Sequence, residues 1–402
     1  MSAALPQRQG VNVSDRARGE LVDNAVAAGV MTRCAMKVAL LDLKAQFATI
    51  RDQVVQAILP ILDSQQSVNG PAIKQLEELV ADYSGCRAAV GLSSGTDALL
   101  VSLMALDIGA GDEVICPPFT FFGTAGSIWR TGAKPVFVDI DSATFNIDPA
   151  KIADAITDKT KAIMPVHLYG QMAEMDPIMA VAAEHRLAVI EDAAQSIGAA
   201  YKGRKAGSIG AAGCLSFYPT KNLGGVGDGG MVVTNDTDLA DKIRALRNHG
   251  ETSRYHYKYV GGNFRLDTIQ AAVLVVKLTY LDGWSAKRRA NAARYDALLA
   301  DCSQIVTPKI AEGNESIFNQ YVIRTPKRDG LQAFLADHEI GTGIYYPLCL
   351  HQQECFKGLG YNTGDFPVSE KAAAEVLALP IYPELADEQI DFVADKIKTF
   401  LQ

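Results

Sequence analysis

The stretch Cys214-Leu215-Ser216-Phe217-Tyr218-Pro219-Thr220-Lys221-Asn222-Leu223-Gly224-Gly225-Val226-Gly227-Asp228-Gly229-Gly230 is an apolar run that presents one lysine and then dissolves into glycine. Pro219 stiffens the approach to Lys221, and the glycines behind it let backbone or a ligand come close. That setting suits a lysine reached by a bulky partner; by itself it suits an ordinary surface charge as well. Gly225, Gly227 and Gly230 also satisfy G-x-G-x-x-G. As a dinucleotide fingerprint that motif needs a helix behind it, with the phosphate on the helix N-terminus. Here Met231-Val232-Val233-Thr234 follows and reads as a strand. The nicotinamide reading is set aside.

Upstream, short β-rich runs alternate with helical segments. The runs are Ala88–Leu92, Glu113–Cys116, 135–138, 162–166 and 188–191; helices are expected over 45–62, through 76–80 and over 98–106. Apolar strands separated by helices predict an α/β fold, its sheet mostly parallel with helices on both faces. Near Leu281-Asp282-Gly283 the rhythm changes. A charged helix over 286–299, a strand at 321–324, a helix over 331–338 and two more, about 369–377 and 387–401, predict a smaller α+β C-terminal domain. Residues 1–36 read as a poorly ordered N-terminal extension, or as an over-long start ahead of Met36. The chain thus divides into the extension, a large domain over 37–281 and a small domain over 282–402.

Composition narrows the function. A net charge of −8 argues against nonspecific nucleic-acid or anionic-membrane binding. Seven cysteines without a C-x-x-C pair indicate neither a metal site nor a disulfide framework. Their odd number and the lack of a signal peptide favour the cytoplasm. The longest apolar runs are too short to span a membrane.

Ligands of open α/β sheets gather at the carboxyl ends of the strands, and three features fall there. Ser93-Ser94-Gly95-Thr96-Asp97 follows a strand and opens an apolar helix. Its free amides and helix dipole make an anion or phosphate seat, unless it is a plain helix cap. Glu191-Asp192-Ala193-Ala194-Gln195 ends the most apolar strand with a carboxylate, which needs a cation or strong hydrogen bonds. Pro118-Phe119-Thr120-Phe121-Phe122 puts aromatics at a third strand end. One could lie flat on a ring while the other two pack in the core. A phosphate seat, a strand-end aspartate, a stacking aromatic and a lysine in a glycine-rich loop together describe a pyridoxal 5'-phosphate site. The aspartate keeps the pyridine nitrogen protonated, and the lysine forms a Schiff base and then carries protons.

From about residue 38 to 400 the chain resembles the DegT/DnrJ/EryC1/StrS nucleotide-sugar aminotransferases, on the fold-type I architecture. The motifs are Ser94-Gly95-Thr96-Asp97-Ala98-Leu99, Glu191-Asp192-Ala193-Ala194-Gln195, Ser216-Phe217-Tyr218-Pro219-Thr220-Lys221, Gly227-Asp228-Gly229-Gly230, Asn263-Phe264-Arg265-Leu266-Asp267 and Tyr346-Pro347-Leu348. The resemblance implies Lys221 as the Schiff-base lysine, Asp192 at the pyridinium and Gln195 at the ring hydroxyl. It implies Gly95, Thr96 and Ser216 at the phosphate and Phe121 on the ring face. Asn263 would reach the phosphate of the neighbouring subunit, so that the site is complete only in a homodimer; otherwise it caps a local turn. Arg265, Tyr345 and Tyr346 fall where relatives contact the sugar nucleotide. The family often has histidine where this chain has Tyr345.

The implied reaction passes an amino group from L-glutamate to a nucleotide-linked keto sugar, for surface-polysaccharide or other amino-sugar biosynthesis. The segment 262–268 resembles the branch acting on 3-keto sugars, UDP-linked 3-keto-hexuronates included, with amination at C4 as the alternative. A pyridoxamine-dependent dehydratase of the same fold would carry histidine in place of Lys221. A non-enzymatic regulator would have no need of Lys221, Asp192 and Gln195 together.

Overall fold

A computed structural model describes residues 36–402. The expected extension therefore lies, but for Met36, outside the described residues. In chain order the main elements are α1 (Leu43–Ser64), α2 (Pro71–Ser84), β1 (Ala88–Leu92), α3 (Gly95–Ala105), β2 (Glu113–Cys116), α4 (Gly123–Arg130), β3 (Lys134–Phe137), β4 (Thr160–Ile163), α5 (Met175–His185), β5 (Ala188–Asp192), β6 (Ala212–Ser216), β7 (Gly230–Thr234) and α6 (Thr237–Arg247). There follow α7 (Thr268–Leu278), α8 (Leu281–Leu299), β8 (Tyr321–Arg324), α9 (Arg328–Asp337), α10 (Pro367–Glu375), β9 (Val376–Leu379) and α11 (Asp387–Leu401).

Local chemistry sets the boundaries. Asp42 caps α1 by accepting from the amides of Lys44 and Ala45, which would otherwise lack acceptors. Pro71 opens α2, where its missing N–H costs nothing, and Gly85 closes it in the left-handed conformation.

Seven strands form one sheet in the order β1-β7-β6-β5-β4-β2-β3. β7 runs antiparallel to both of its neighbours, while the remaining pairings are parallel. Alternation along the strands loads both faces. Ala89, Ile163, Val189, Leu215 and Met231 pack with Leu76 of α2, Ile178 of α5 and Leu274 of α7. Val90, Val114, Ala162, Ile190 and Cys214 pack with Leu99 of α3, Ile128 of α4 and Ile243 of α6. A strand buried on both faces carries no polar alternation, which is why these runs are continuously apolar. This is the expected mostly parallel α/β sheet with helices on both faces.

After α8 a two-stranded antiparallel ribbon pairs Tyr321–Arg324 with Val376–Leu379. Its Tyr321 and Leu377 pack with Tyr295, Leu335 and Val393 of α8, α9 and α11, and Val38 joins the same cluster from the start of the described chain. The expected helix over 369–377 is displaced by two residues: α10 runs from Pro367 to Glu375, and Leu377 belongs to β9. A short apolar run has no periodicity of its own to choose helix or strand, and pairing with β8 decides it.

Candidate active site

The carboxyl edge of the sheet opens on a cavity of about 490 Å³. Gly95, Thr96, Phe121, Asp192, Gln195, Ser216, Lys221, Tyr345 and Tyr346 all line it. Residues spread over some 250 positions meet because β1, β5 and β6 run in the same direction and end on one edge of the sheet, with β7 between β1 and β6.

The phosphate-seat candidate is the start of α3. Ser94 Oγ accepts from the Asp97 amide, leaving the amides of Gly95 and Thr96 without intrahelical acceptors at the positive end of the helix. Ser216 lies against them so closely that a Cβ added at Gly95 would fall 2.7 Å from its Cβ. A cradle of amides with a hydroxyl beside it fits a phosphate group.

Asp192 is held on several sides. Its amide donates to Pro165 O at 2.9 Å and its carbonyl accepts from the His167 amide at 3.0 Å. Thr124 Oγ1 donates to Oδ2 at 2.7 Å, and the Ala194 amide approaches Oδ1 at 3.3 Å. Burial pushes this carboxyl above its ordinary value, against the opposing pull of Thr124, the Ala194 amide and the charge of Lys221. A ring nitrogen carrying a proton would add a further counter-charge to that of Lys221. Glu191, one residue back, turns to the opposite face and is fully buried. There it accepts from His167 Nε2 at 2.8 Å and from the amides of Gly207, Ile209 and Gly210. Burial opposes its ionisation, but the His167 bond and these amides hold its pKa below the ordinary value. Since His167 Nδ1 accepts from the Ala173 amide, the ring proton sits on Nε2 and points at Glu191.

Lys221 borders the cavity. Burial brings its pKa down to about 8, against the attraction of Asp192, so near pH 7 about a tenth of its amine is uncharged and nucleophilic. Gln195 accepts from the Tyr169 amide at 2.8 Å and donates to the Tyr346 hydroxyl at 3.0 Å. Tyr169 in turn donates its hydroxyl to the carbonyl of Tyr345. The Phe121 ring, 56% exposed, stands 6.2 Å from that of Tyr346. Phe119 packs in the core, whereas Phe122 stacks on Phe356 and stays half-exposed. Of the two phenylalanines expected in the core, one is there.

Asn263 and Arg265 do not line this cavity. Asn263 is exposed on the segment between α6 and α7. Arg265 donates to Asn248 Oδ1 at 2.7 Å. Thr124, His167, Tyr169 and Gln320 join the site or its supports without a sequence signal. Thr124 is 68 positions from Asp192, and nothing local marks the pairing. Among the described residues no group of three or more His, Cys, Asp and Glu could hold a metal ion, and no helix is long and apolar enough to cross a membrane.

Fold and site together define a pyridoxal-phosphate aminotransferase of the fold-type I class. The chain belongs to the DegT/DnrJ/EryC1/StrS aminotransferase family, whose sequence profile matches residues 48–398. It is 51% identical to the pleiotropic regulatory protein of Geobacillus stearothermophilus, over 91% of this chain and 99% of that one. It is 45% identical to the UDP-N-acetyl-3-dehydro-alpha-D-glucosamine 3-aminotransferase of Acidithiobacillus ferrooxidans (90% and 97% covered). Identity is 43% to the UDP-2-acetamido-2-deoxy-3-oxo-D-glucuronate aminotransferase of Pseudomonas aeruginosa (88% and 97%). Among solved structures, DesV of S. venezuelae, in complex with ketimine intermediate, superposes with a TM-score of 0.89 at 40% identity, over 91% of this chain and 99% of that one.

Proposed function

We propose that the chain moves the amino group of L-glutamate to C3 of a UDP-linked 3-keto sugar, a hexuronate or its neutral counterpart. The observation that carries this reading is the pairing of Lys221 and Asp192 on the walls of one cavity at the carboxyl edge of the sheet. When bound there, pyridoxal 5'-phosphate supplies the electron sink for amino transfer. Gly95, Thr96 and Ser216 hold its phosphate, Asp192 keeps a proton on the ring nitrogen, Gln195 meets the ring hydroxyl and Phe121 covers a ring face. Lys221 Nζ carries the cofactor and moves the proton at the reacting carbon. Arg265, Tyr345 and Tyr346 contact the sugar nucleotide, and Asn263 serves the phosphate of a neighbouring subunit in a homodimer. We read the large domain as 37–281 and the small one as 282–402, and place the enzyme in the cytoplasm, making amino sugars for surface polysaccharide or related products.

Two 3-aminotransferases among the relatives support C3 over C4. The regulatory name of another is answered by Lys221, Asp192 and Gln195 standing together. The test is to offer the purified protein pyridoxal 5'-phosphate, L-glutamate and either UDP-linked 3-keto or dTDP-linked 4-keto sugars. Amino sugar and 2-oxo acid should appear with the 3-keto substrates. Turnover of the 4-keto sugars alone would sink the C3 reading, and no visible cofactor band with any partner would favour the regulator.

A further inference from the structure

The loop carrying Lys221 is gripped from behind by side chains to which the reaction above assigns nothing. The loop first closes on itself: the Lys221 amide donates to Tyr218 O at 2.9 Å and the Gly225 amide to Phe217 O at 2.8 Å. Three side-chain hydrogen bonds then pin it to distant parts of the chain, one made by the loop's own Asn222 and two by side chains from elsewhere. Asn222 Nδ2 donates to Ile317 O at 3.1 Å, Gln270 Oε1 accepts from the Val226 amide at 2.8 Å, and Lys277 Nζ donates to Gly224 O at 2.6 Å. Gln270 and Lys277 both stand on α7, about two turns apart and so on one face. Contact is close: a Cβ on Gly225 or Gly227 would lie 2.6 or 2.7 Å from the Gln270 amide and would have to displace it.

Lys277 is the odd member of this grip. It is 5% exposed, and its ammonium, with three hydrogens to donate, has one neutral carbonyl as its hydrogen-bond acceptor among the described residues. None of the salt bridges among them engages it. Burying a cation without a counter-charge works against stability, and burial pulls its pKa down to about 8. A methionine would fill similar space at less cost. What the ammonium does that methionine could not is hold Gly224 O.

We propose that Lys277 and Gln270 clamp Gly224–Gly225–Val226 and thereby fix where Lys221 stands, making Lys277 a positioning residue for amino transfer. The proposal rests on the assignment of Lys221 above. A shift of about 1 Å in a reacting group can cost roughly 100-fold in rate, so a small loosening of the loop has a measurable price.

The test uses the full chain with Lys277→Met, Lys277→Gln and Gln270→Ala. Three quantities are read: amide hydrogen exchange over residues 217–227 without cofactor, the rate at which added pyridoxal 5'-phosphate becomes fixed to Lys221 by borohydride, and the melting temperature. Lys277→Met is expected to melt no lower than the parent, because a buried charge is gone. Its loop should exchange at least ~10-fold faster, and capture of the cofactor should slow by at least ~10-fold. Lys277→Gln should recover part of both, since its amide can still donate to Gly224 O. Unchanged exchange and capture in Lys277→Met overturn the clamp. If Lys277→Met does not fold, Gln270→Ala decides by the same two readouts. Failure of the parent chain to capture cofactor would condemn the Lys221 assignment instead, while exchange would still judge the clamp.

Discussion

Lys221 is charged where its surroundings disfavour charge. Its pKa falls from the ordinary 10.5 to about 8 through burial, so the folded state binds the proton less tightly than the unfolded chain. Below about pH 8 both states are protonated and the full penalty, about 3 kcal/mol, weighs on the fold. Between pH 8 and 10.5 the unfolded state alone holds the proton, so stability rises with pH and the penalty fades. Lys221→Met is therefore expected to stabilise the cofactor-free chain by about 3 kcal/mol at pH 7 and by little at pH 10.5. Denaturant unfolding at the two pH values checks this, and an equal gain at both would mean that the lysine is not strained by burial. The same variant should have no transaminase turnover. Asp192→Asn should keep a measurable affinity for cofactor but lose at least ~100-fold in rate, since an amide cannot stabilise a protonated ring nitrogen. Unchanged kinetics would make Asp192 structural.

Among the elements, α3 and β6 carry the proposed phosphate seat. Gly95 opens α3 against Ser216 at the end of β6, and a Cβ at 2.7 Å cannot be absorbed without moving one of them. Gly95→Ala is expected to cost about 1–3 kcal/mol of stability and to weaken pyridoxal 5'-phosphate binding by roughly 10-fold, because the amides and the hydroxyl separate. Titration of the cofactor by absorbance checks the second effect; unchanged affinity would place the phosphate elsewhere. Elements whose surroundings repeat their own pattern were legible from sequence. Thus Ala88–Leu92, Glu113–Cys116 and Tyr321–Arg324 fall where their apolar runs predict, and α11 spans Asp387–Leu401. Val376–Leu379 was not legible, because an apolar run after a helix becomes a strand only when Tyr321–Arg324 lies beside it.

At the scale of the molecule, the segment between α6 and α7 carries large apolar side chains into solvent: Tyr255 is 72% and Val260 91% exposed. Surfaces of that kind are commonly covered by a partner, and Asn263 lies on the same segment. If the site is shared, mixing Lys221→Ala with Asn263→Asp should restore activity, the added carboxylate having repelled the cofactor phosphate in the parent variant. In a mixed dimer one site then carries both defects and the other neither. Demonstrated subunit exchange without recovered activity would return Asn263 to its own chain. The sequence by itself determined the α/β class and the rejection of a nicotinamide fold, and it singled out Lys221 and Asp192 as candidates, because strand-end chemistry and the strand after Gly230 are local. The grip of Thr124 on Asp192, the turn of Glu191 to His167 on the far face and the hold of Lys277 on Gly224 were decided only by tertiary structure. Each joins a strand end or loop to a side chain from another part of the chain, and such pairings exist only once the sheet and its helices are packed.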